Sequence, residues 1–337
     1  MPTHIRRATR RSFNVYLFFV LFLGGTLFAL FPLYPRSTAA VGPMQTGSWT
    51  QVANAPPAPR AYAAMAYDSL RGRTVLYGGA PVGGVFGDTW EWDGTVWTQM
   101  ATSGPSPRYG HALAYDSRRQ RVVLFGGQTL SGYLGDTWEW DGAVWKQVAT
   151  TGPPSRSSHA MAYDSVRGRV VLYGGYDGSG KGDTWEWNGT VWTPVPASAS
   201  PGVRYSHAMA FDEVHQRSVL FGGLNANGAY TNDTWEWDGT AWTQEATTGP
   251  SPRFGHGVAF DRTCGKVILF GGYDQNFKGD TWAWNGATWS LIAISGPVPR
   301  YGHAMAYDSI RGTIVLYGGI LRDLFMVGDT WLSLIHI

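Results

Sequence analysis

One cysteine, Cys264, stands in 337 residues, so no intrachain disulfide can form and cysteine pairing says nothing about the redox compartment. Charge is scarce as well, with Asp, Glu, Lys and Arg together at 15%. Arg6, Arg7, Arg10, Arg11 and Arg36 lie in an acid-free first stretch of 40 residues; without these five, 21 bases face 24 acids, a net of −3. Such a body lacks the basic footprint that sequence-independent nucleic-acid binding needs. What is plentiful is glycine, 45 residues, and tryptophan, 17, the composition of a chain with many tight turns and many buried rings.

The longest apolar run, Val15 to Phe31, follows four of those arginines and precedes Thr38, Ala39 and Ala40. This is the order of a secretory signal within residues 1–40. Its length also suits an uncleaved, helical signal anchor with the arginines inside, the one membrane contact expected. Arg10-Arg11-Ser12-Phe13 resembles a twin-arginine motif, although the run is more hydrophobic than such signals usually are. All of these readings place the body outside the cytoplasm, as a secreted, periplasmic or cell-surface protein.

The rest is repetitive. Gly-Gly pairs begin at Gly78, Gly126, Gly174, Gly222, Gly271 and Gly318, and the Asp of a (G/N)DTW motif falls at Asp88, Asp136, Asp183, Asp233, Asp280 and Asp329. Successive pairs and motifs are 47 to 50 residues apart, the signature of a tandem array. In the second unit, HALAY, a polar turn DSRRQR and the β-branched run Val122 to Phe125 read as a hairpin closed by Gly126-Gly127. Thr137 to Trp140, the turn at Asp141-Gly142 and a strand starting at Val144 read as a second hairpin. Four antiparallel strands per unit make a propeller blade, so the fold class is an all-β, six-bladed β-propeller. The positions of Ala112 and Ala114 stay small in every unit, as suits strands crowded near an axis, and the tryptophans occupy three repeat positions, represented by Trp90, Trp92 and Trp97. They are expected in the core between blades.

A hydrophobic run ending in Gly-Gly, a loop, an aromatic, and a Trp after six intervening residues, as from Trp90 to Trp97, resemble the kelch repeat. The resemblance spans about residues 47 to 331, with Trp where that family usually has Tyr, and implies a kelch-type propeller over 41–331. Trp49-Thr50-Gln51-Val52 copies a fourth strand with no first three before it, whereas the sixth unit stops after its third strand at Trp331. The N-terminal strand is therefore expected to complete the last blade, which leaves no open sheet edge. The final residues 332–337, LSLIHI, resemble an in-frame translation of a sequencing-library adapter; on that reading a natural chain would continue past Trp331, with room for a seventh unit.

Each unit opens with an arginine, Arg60, Arg108, Arg156, Arg204, Arg253 or Arg300, followed three residues later by His111, His159, His207, His256 or His303, with Ala63 in the first. In kelch propellers the loops entering the first strand and those after Gly-Gly resemble a ligand-facing rim. Two readings of the arginines stand: a guanidinium ring that binds carboxylates or sulfates, or a structural tie between blades. The loops after Gly-Gly differ most, and with them come the other candidate ligand-binding residues: Tyr133, Tyr176, Lys181, Asn225, Tyr230, Tyr273, Phe277 and Lys278. The histidines lack companion carboxylates or cysteines at metal-ligand spacing, so neither metal nor other cofactor is expected. Glu91, Glu139, Glu186 and Glu236 are read as solvated or arginine-paired, and no catalytic residue is assigned. The leading expectation is an extracytoplasmic binding or scaffold module for a carbohydrate or protein ligand, more a binder than an enzyme. Resemblance to exported kelch sialic acid mutarotases implies an alternative that uses channel Arg and Glu. Resemblance to galactose oxidase is weaker, because its copper site needs a cysteine crosslinked to tyrosine and Cys264 lies in a turn away from the mouth.

Overall fold

Each unit alternates short β-branched and aromatic runs with Gly- and Asp-centred turns, and each folds into one antiparallel four-stranded sheet. The computed structural model describes residues 48–54 and 56–334. Blade 1 is Ala64–Asp68, Arg73–Tyr77, Thr89–Trp92 and Trp97–Ala101, from the axis outward. Blades 2 to 5 repeat it from the inner strands Ala112–Asp116, Ala160–Asp164, Ala208–Asp212 and Gly257–Asp261. Blade 6 joins Ala304–Asp308, Thr313–Tyr317 and Thr330–Leu334 to the N-terminal strand Ser48–Ala53. Ser48 lies opposite Leu334 and Ala53 opposite Thr330, as expected of a ring closed by its first strand. Leu332 to Leu334, the first half of the suspected tail, belong to this strand.

The expected N-terminal apolar segment and residues 335–337 lie outside the described residues. Among the described residues no helix is long and apolar enough to cross a membrane. The loops between Gly-Gly and DTW hold no α-helix among the described residues; the one helical turn is a 3-10 turn at Arg322–Leu324.

Each seam between blades pairs a large face with a small one. Met65, Leu76, Trp92 and Trp97 of blade 1 pack on Ala304, Ala306, Val315 and Tyr317 of blade 6, and the pattern recurs around the ring. Polar pins cross every seam too. The fourth-strand tryptophans Trp97, Trp145, Trp192, Trp242, Trp289 and Trp49 donate their indole N–H to Thr330, Thr89, Thr137, Thr184, Thr234 and Thr281 of the preceding blade, at 2.8 to 3.1 Å. The DTW threonine is thus specified by its neighbour's tryptophan.

Of the two readings of the glutamates between paired tryptophans, arginine pairing holds for Glu91, Glu139 and Glu186. Glu91 accepts from Trp140 of the next blade at 2.9 Å and is held by Arg71, whose Nε also binds Asp68 at 2.7 Å. Arg119 with Glu139 and Arg167 with Glu186 repeat the arrangement. A carboxylate in a seam is stable only when paired and hydrogen-bonded, so these three residue types form one unit.

Candidate functional site

A propeller of this connectivity has two ends: the inner and outer hairpin turns, such as Asp68–Arg73 and Asp93–Val96, at one, and the opening arginines with the loops after Gly-Gly at the other, the mouth. Asp88, which follows the loop, meets Arg60 there. Arg60 lies 1% exposed, donates from both terminal nitrogens to Asp88 at 2.6 and 3.0 Å, and donates to the Gly78 carbonyl at 2.9 Å. Arg108, Arg156, Arg253 and Arg300 repeat this with Asp136, Asp183, Asp280 and Asp329 at 2.6 or 2.7 Å, and Arg204 with Asp233. Burial alone would raise these aspartate pKa values, but the hydrogen bonds and charge of the arginines hold them below the ordinary carboxylate range. The six guanidinium groups are therefore tied inside the blades, and the mouth does not present them as a ring of free cations. Backbone atoms make the tie between blades: Gly79 N donates to Arg108 O at 2.9 Å, and a Cβ on Gly78 (φ 63°) would stand 2.5 Å from that same carbonyl.

Beside the arginines, His111, His159, His207, His256 and His303 are buried edge-on to Tyr77, Phe125, Tyr173, Phe221 and Phe270 of the preceding blade. Burial, and then the neighbouring arginines, pushes His111, His159 and His256 down to about 3 and the other two well below the usual value. Such groups stay neutral and serve packing. Among the described residues no group of three His, Cys, Asp or Glu side chains is placed to hold a metal ion.

Two residues past each arginine, the chain closes around the axis. Tyr62 N donates to Gly302 O, Gly302 N to Gly255 O, Gly255 N to Ser206 O, Ser206 N to Ser158 O, Ser158 N to Gly110 O, and Gly110 N to Tyr62 O, at 2.7 to 3.0 Å. All six have φ between 54° and 66°, the left-handed region. Tyr62, Ser158 and Ser206 are the costly, non-glycine members, and such outliers persist where the surroundings enforce them. The Tyr62 ring lies over Gly302, where a Cβ would come within 3.1 Å, and 6.4 and 6.2 Å from Tyr109 and Tyr301. Below this ring, toward the turns, lies a central channel of about 210 Å³ whose lining includes Ala66, Tyr67 and Ser69 and their counterparts.

Around the closed axis the mouth carries two runs of touching aromatic rings. Tyr133, Tyr176 and Tyr205 form one, with centroids 6.2 and 5.1 Å apart. The other starts with Tyr230 stacked on Phe254 at 5.8 Å, continues through Tyr273, Phe277 and Tyr301, and reaches Tyr62 and Tyr109. All of these rings but the buried Tyr301 are half-buried and offer a face or edge to solvent. The loops of blades 6 and 2 add Phe325 and Leu130, 70% and 83% exposed. Lys181 and Lys278 are paired with Asp177 and Asp274 within their own loops, and Asn225 holds its own turn by accepting from Asn227 N and Ala229 N.

Among the residues expected from the sequence, the mouth thus unites Tyr133, Tyr176, Tyr230, Tyr273 and Phe277. Tyr62, Tyr109, Tyr205, Phe254 and Tyr301 were missed. Their signal was present: Tyr109, Tyr205, Phe254 and Tyr301 follow directly on the arginines and Tyr62 follows two residues after Arg60, at positions that vary while the arginines do not.

A Kelch-repeats domain model described as KLHDC2/KLHL20/DRC7 matches residues 36–190. This match and the six four-stranded blades agree. Over residues 36–190 the chain is similar to kelch repeats, and its six four-stranded blades make a β-propeller. No curated protein matches the chain. In this propeller the arginines and glutamates do not converge as a mutarotase-like activity would need: Arg60 and its counterparts are bound to Asp near the mouth, whereas Glu91, Glu139 and Glu186 are bound to Arg71, Arg119 and Arg167 near the turns. Cys264 lies between the inner strands Gly257–Asp261 and Lys266–Phe270, at the turn end. Burial pushes its thiol up to about 11.

Proposed function

We propose that this propeller is a binding or scaffold module whose mouth takes a carbohydrate or protein ligand on its aromatic rings. The observation that carries the reading is the asymmetry of the mouth. Arginine, aspartate and Gly-Gly recur around the ring and are consumed by the fold, whereas the rings of Tyr62, Tyr109, Tyr176, Tyr205, Phe254 and Tyr301 have no common structural task and cluster at one end. Aromatic faces next to hydroxyl and amide groups suit sugar rings and peptide side chains alike. On the sequence evidence of residues 1–40 the module acts outside the cytoplasm.

Glycan-array binding and capture of protein partners, each with the parent chain and with Tyr176→Ala/Tyr205→Ala, test it. These half-exposed rings can be removed with little loss of melting temperature, so ligand capture is expected to fall at least tenfold while the melt shifts by a few degrees at most. Retained capture by the double variant refutes the assignment. A sugar anomerisation assay on the same samples decides whether the ligand is also turned over.

A further inference from the structure

The fourth strand of each blade ends its sheet, so one of its edges is left unpaired. Such a row of free N–H and C=O groups is a template for an added strand, and natural sheets guard it with charge or proline. Two residues past the strand's tryptophan, five blades carry Gln51, Gln99, Gln147, Pro194 and Gln244, and Lys146 and Glu245 add a charge in blades 2 and 4. Blade 5 has Leu291 at that position. Three residues before the buried proline that follows the strand, the other blades have asparagine, serine or threonine, and blade 5 has Ile294. Two residues before the opening arginine the others have a small residue or proline, and blade 5 has Val298.

These three replacements all face water: Leu291, Ile294 and Val298 are 49%, 81% and 51% exposed. From Thr281 to Pro299 the chain has no charged residue, so nothing guards this edge. Ile294 and Val298 also line a groove of about 420 Å³ against Phe277 and Lys278, whose ammonium is held by Asp274 at 2.8 Å. Blade 1 has the same groove, about 440 Å³, with Thr102 and Ser106 at the two positions. The space comes with the fold, and blade 5 changes its lining. Single exposed apolar residues are ordinary, but three that fall along one edge mark a contact surface.

We infer that the outer edge of blade 5 is a docking site for an extended, uncharged apolar segment of a partner protein, which adds a fifth strand along Trp289–Ala293 and seats a side chain beside Ile294 and Val298. The free backbone groups supply affinity and the groove supplies selectivity. A charged segment would lose solvation against Leu291 and Ile294 with no partner in exchange. One strand edge with three aliphatic side chains offers on the order of a few hundred Å², below the roughly 800 Å² per partner of a stable interface, so it fits a strand and not the face of a second copy. The site lies on the outer rim of one blade. Phe277 belongs to the mouth run as well, so the test leaves it untouched and alters only the edge.

The probe is an eight-residue peptide of alternating valine and threonine, with fluorescein on a Gly-Ser tail, titrated into the full chain and read by anisotropy. Saturable binding is expected, and Leu291→Gln/Ile294→Thr should weaken it at least tenfold. That variant installs what blades 1 and 4 already carry, so its melting temperature should match the parent's. A control peptide with proline at alternate positions cannot donate to the ladder and should also bind at least tenfold more weakly. Amide exchange should slow in Trp289–Ala293 and not in the equivalent strand Trp97–Ala101, and the mouth variant Tyr176→Ala/Tyr205→Ala should bind the probe as the parent does. Absence of saturable binding, equal binding by the edge variant or by the proline peptide, or loss of binding in the mouth variant overturns the site. A dimer of the parent that forms with rising concentration and that the edge variant abolishes gives the edge to a second copy and overturns the proposed occupant.

Discussion

Lowering the pH from 8 to 5 should unfold this propeller through its histidines. His111, His159 and His256 are buried with pKa values of about 3, and His207 and His303 are held well below the usual value, whereas an unfolded chain titrates histidine near 6.5. Below about pH 6.5 the unfolded state therefore binds five more protons than the native state, and stability falls with pH until the folded values are reached. Each histidine contributes about 1.4 kcal/mol per pH unit, so the five give a slope of about 7 kcal/mol per unit below pH 6 and a cumulative loss of about 10 kcal/mol at pH 5. That equals the whole stability of a typical domain, about 5 to 15 kcal/mol. The paired aspartates add a loss of the same sign, but only below the ordinary carboxylate range near 4, so the two effects separate along the pH axis. Urea unfolding from pH 8 to 5 reads the slope. His159→Ala copies the Ala63 that the first unit already carries, and it should remove about one fifth of the slope whatever it does to stability at pH 8. A slope under about 2 kcal/mol per unit, or one unchanged in that variant, refutes neutral burial.

Three further outcomes follow from the same packing. Asp136→Asn leaves the buried Arg108 charge without its bidentate partner and should cost about 3 to 5 kcal/mol in urea unfolding; a loss under 1 would mean that the guanidinium reaches solvent. Trp49→Ala removes a buried ring that packs at a tilt against Phe270, 5.3 Å between centroids, and pins Thr281, and should cost about 3 to 5 kcal/mol, well above Trp90→Ala at a half-buried site. Equal losses would mean that the N-terminal strand does not close blade 6. Gly78→Ala drives a Cβ against the Arg108 carbonyl and should destabilise more than Gly83→Ala, which shares a positive φ but meets nothing within 4 Å and should cost about 1 to 2 kcal/mol; thermal melts of the pair settle the order.

The architecture could be read from residues because repetition separates signal from chance. Six copies of Gly-Gly and DTW showed the period, and the displaced fourth strand at Trp49 showed where the ring closes. Strand limits fell within a residue of expectation: Val122 to Phe125 became Arg121–Phe125, and the strand placed from Val144 runs over Trp145–Ala149. Side-chain partners were harder. Glu91 alternates with Trp90 and Trp92 in a period-2 pattern, which leaves solvent or an arginine as its surroundings and does not say which. A blade, however, packs on both faces, so the alternate face is another seam and the glutamate must find Trp140 and Arg71 there. Nothing local in the TWEW run shows that, because the partners are 20 and 49 residues away.

The mouth illustrates the opposite difficulty. An arginine found in all six units drew attention as a possible anion ring, yet its invariance is the mark of a task every blade shares, and that task is Asp88 and its equivalents. A ligand placed off the axis touches some blades and not others, so the residues that bind it need not recur. The position after the arginine is Ala61, Tyr109, Ser157, Tyr205, Phe254 and Tyr301, six units with four residue types, and four of those side chains join the aromatic runs. In a repeat protein, shared residues account for the ring, and unshared ones carry functional information when they leave an apolar or aromatic face exposed.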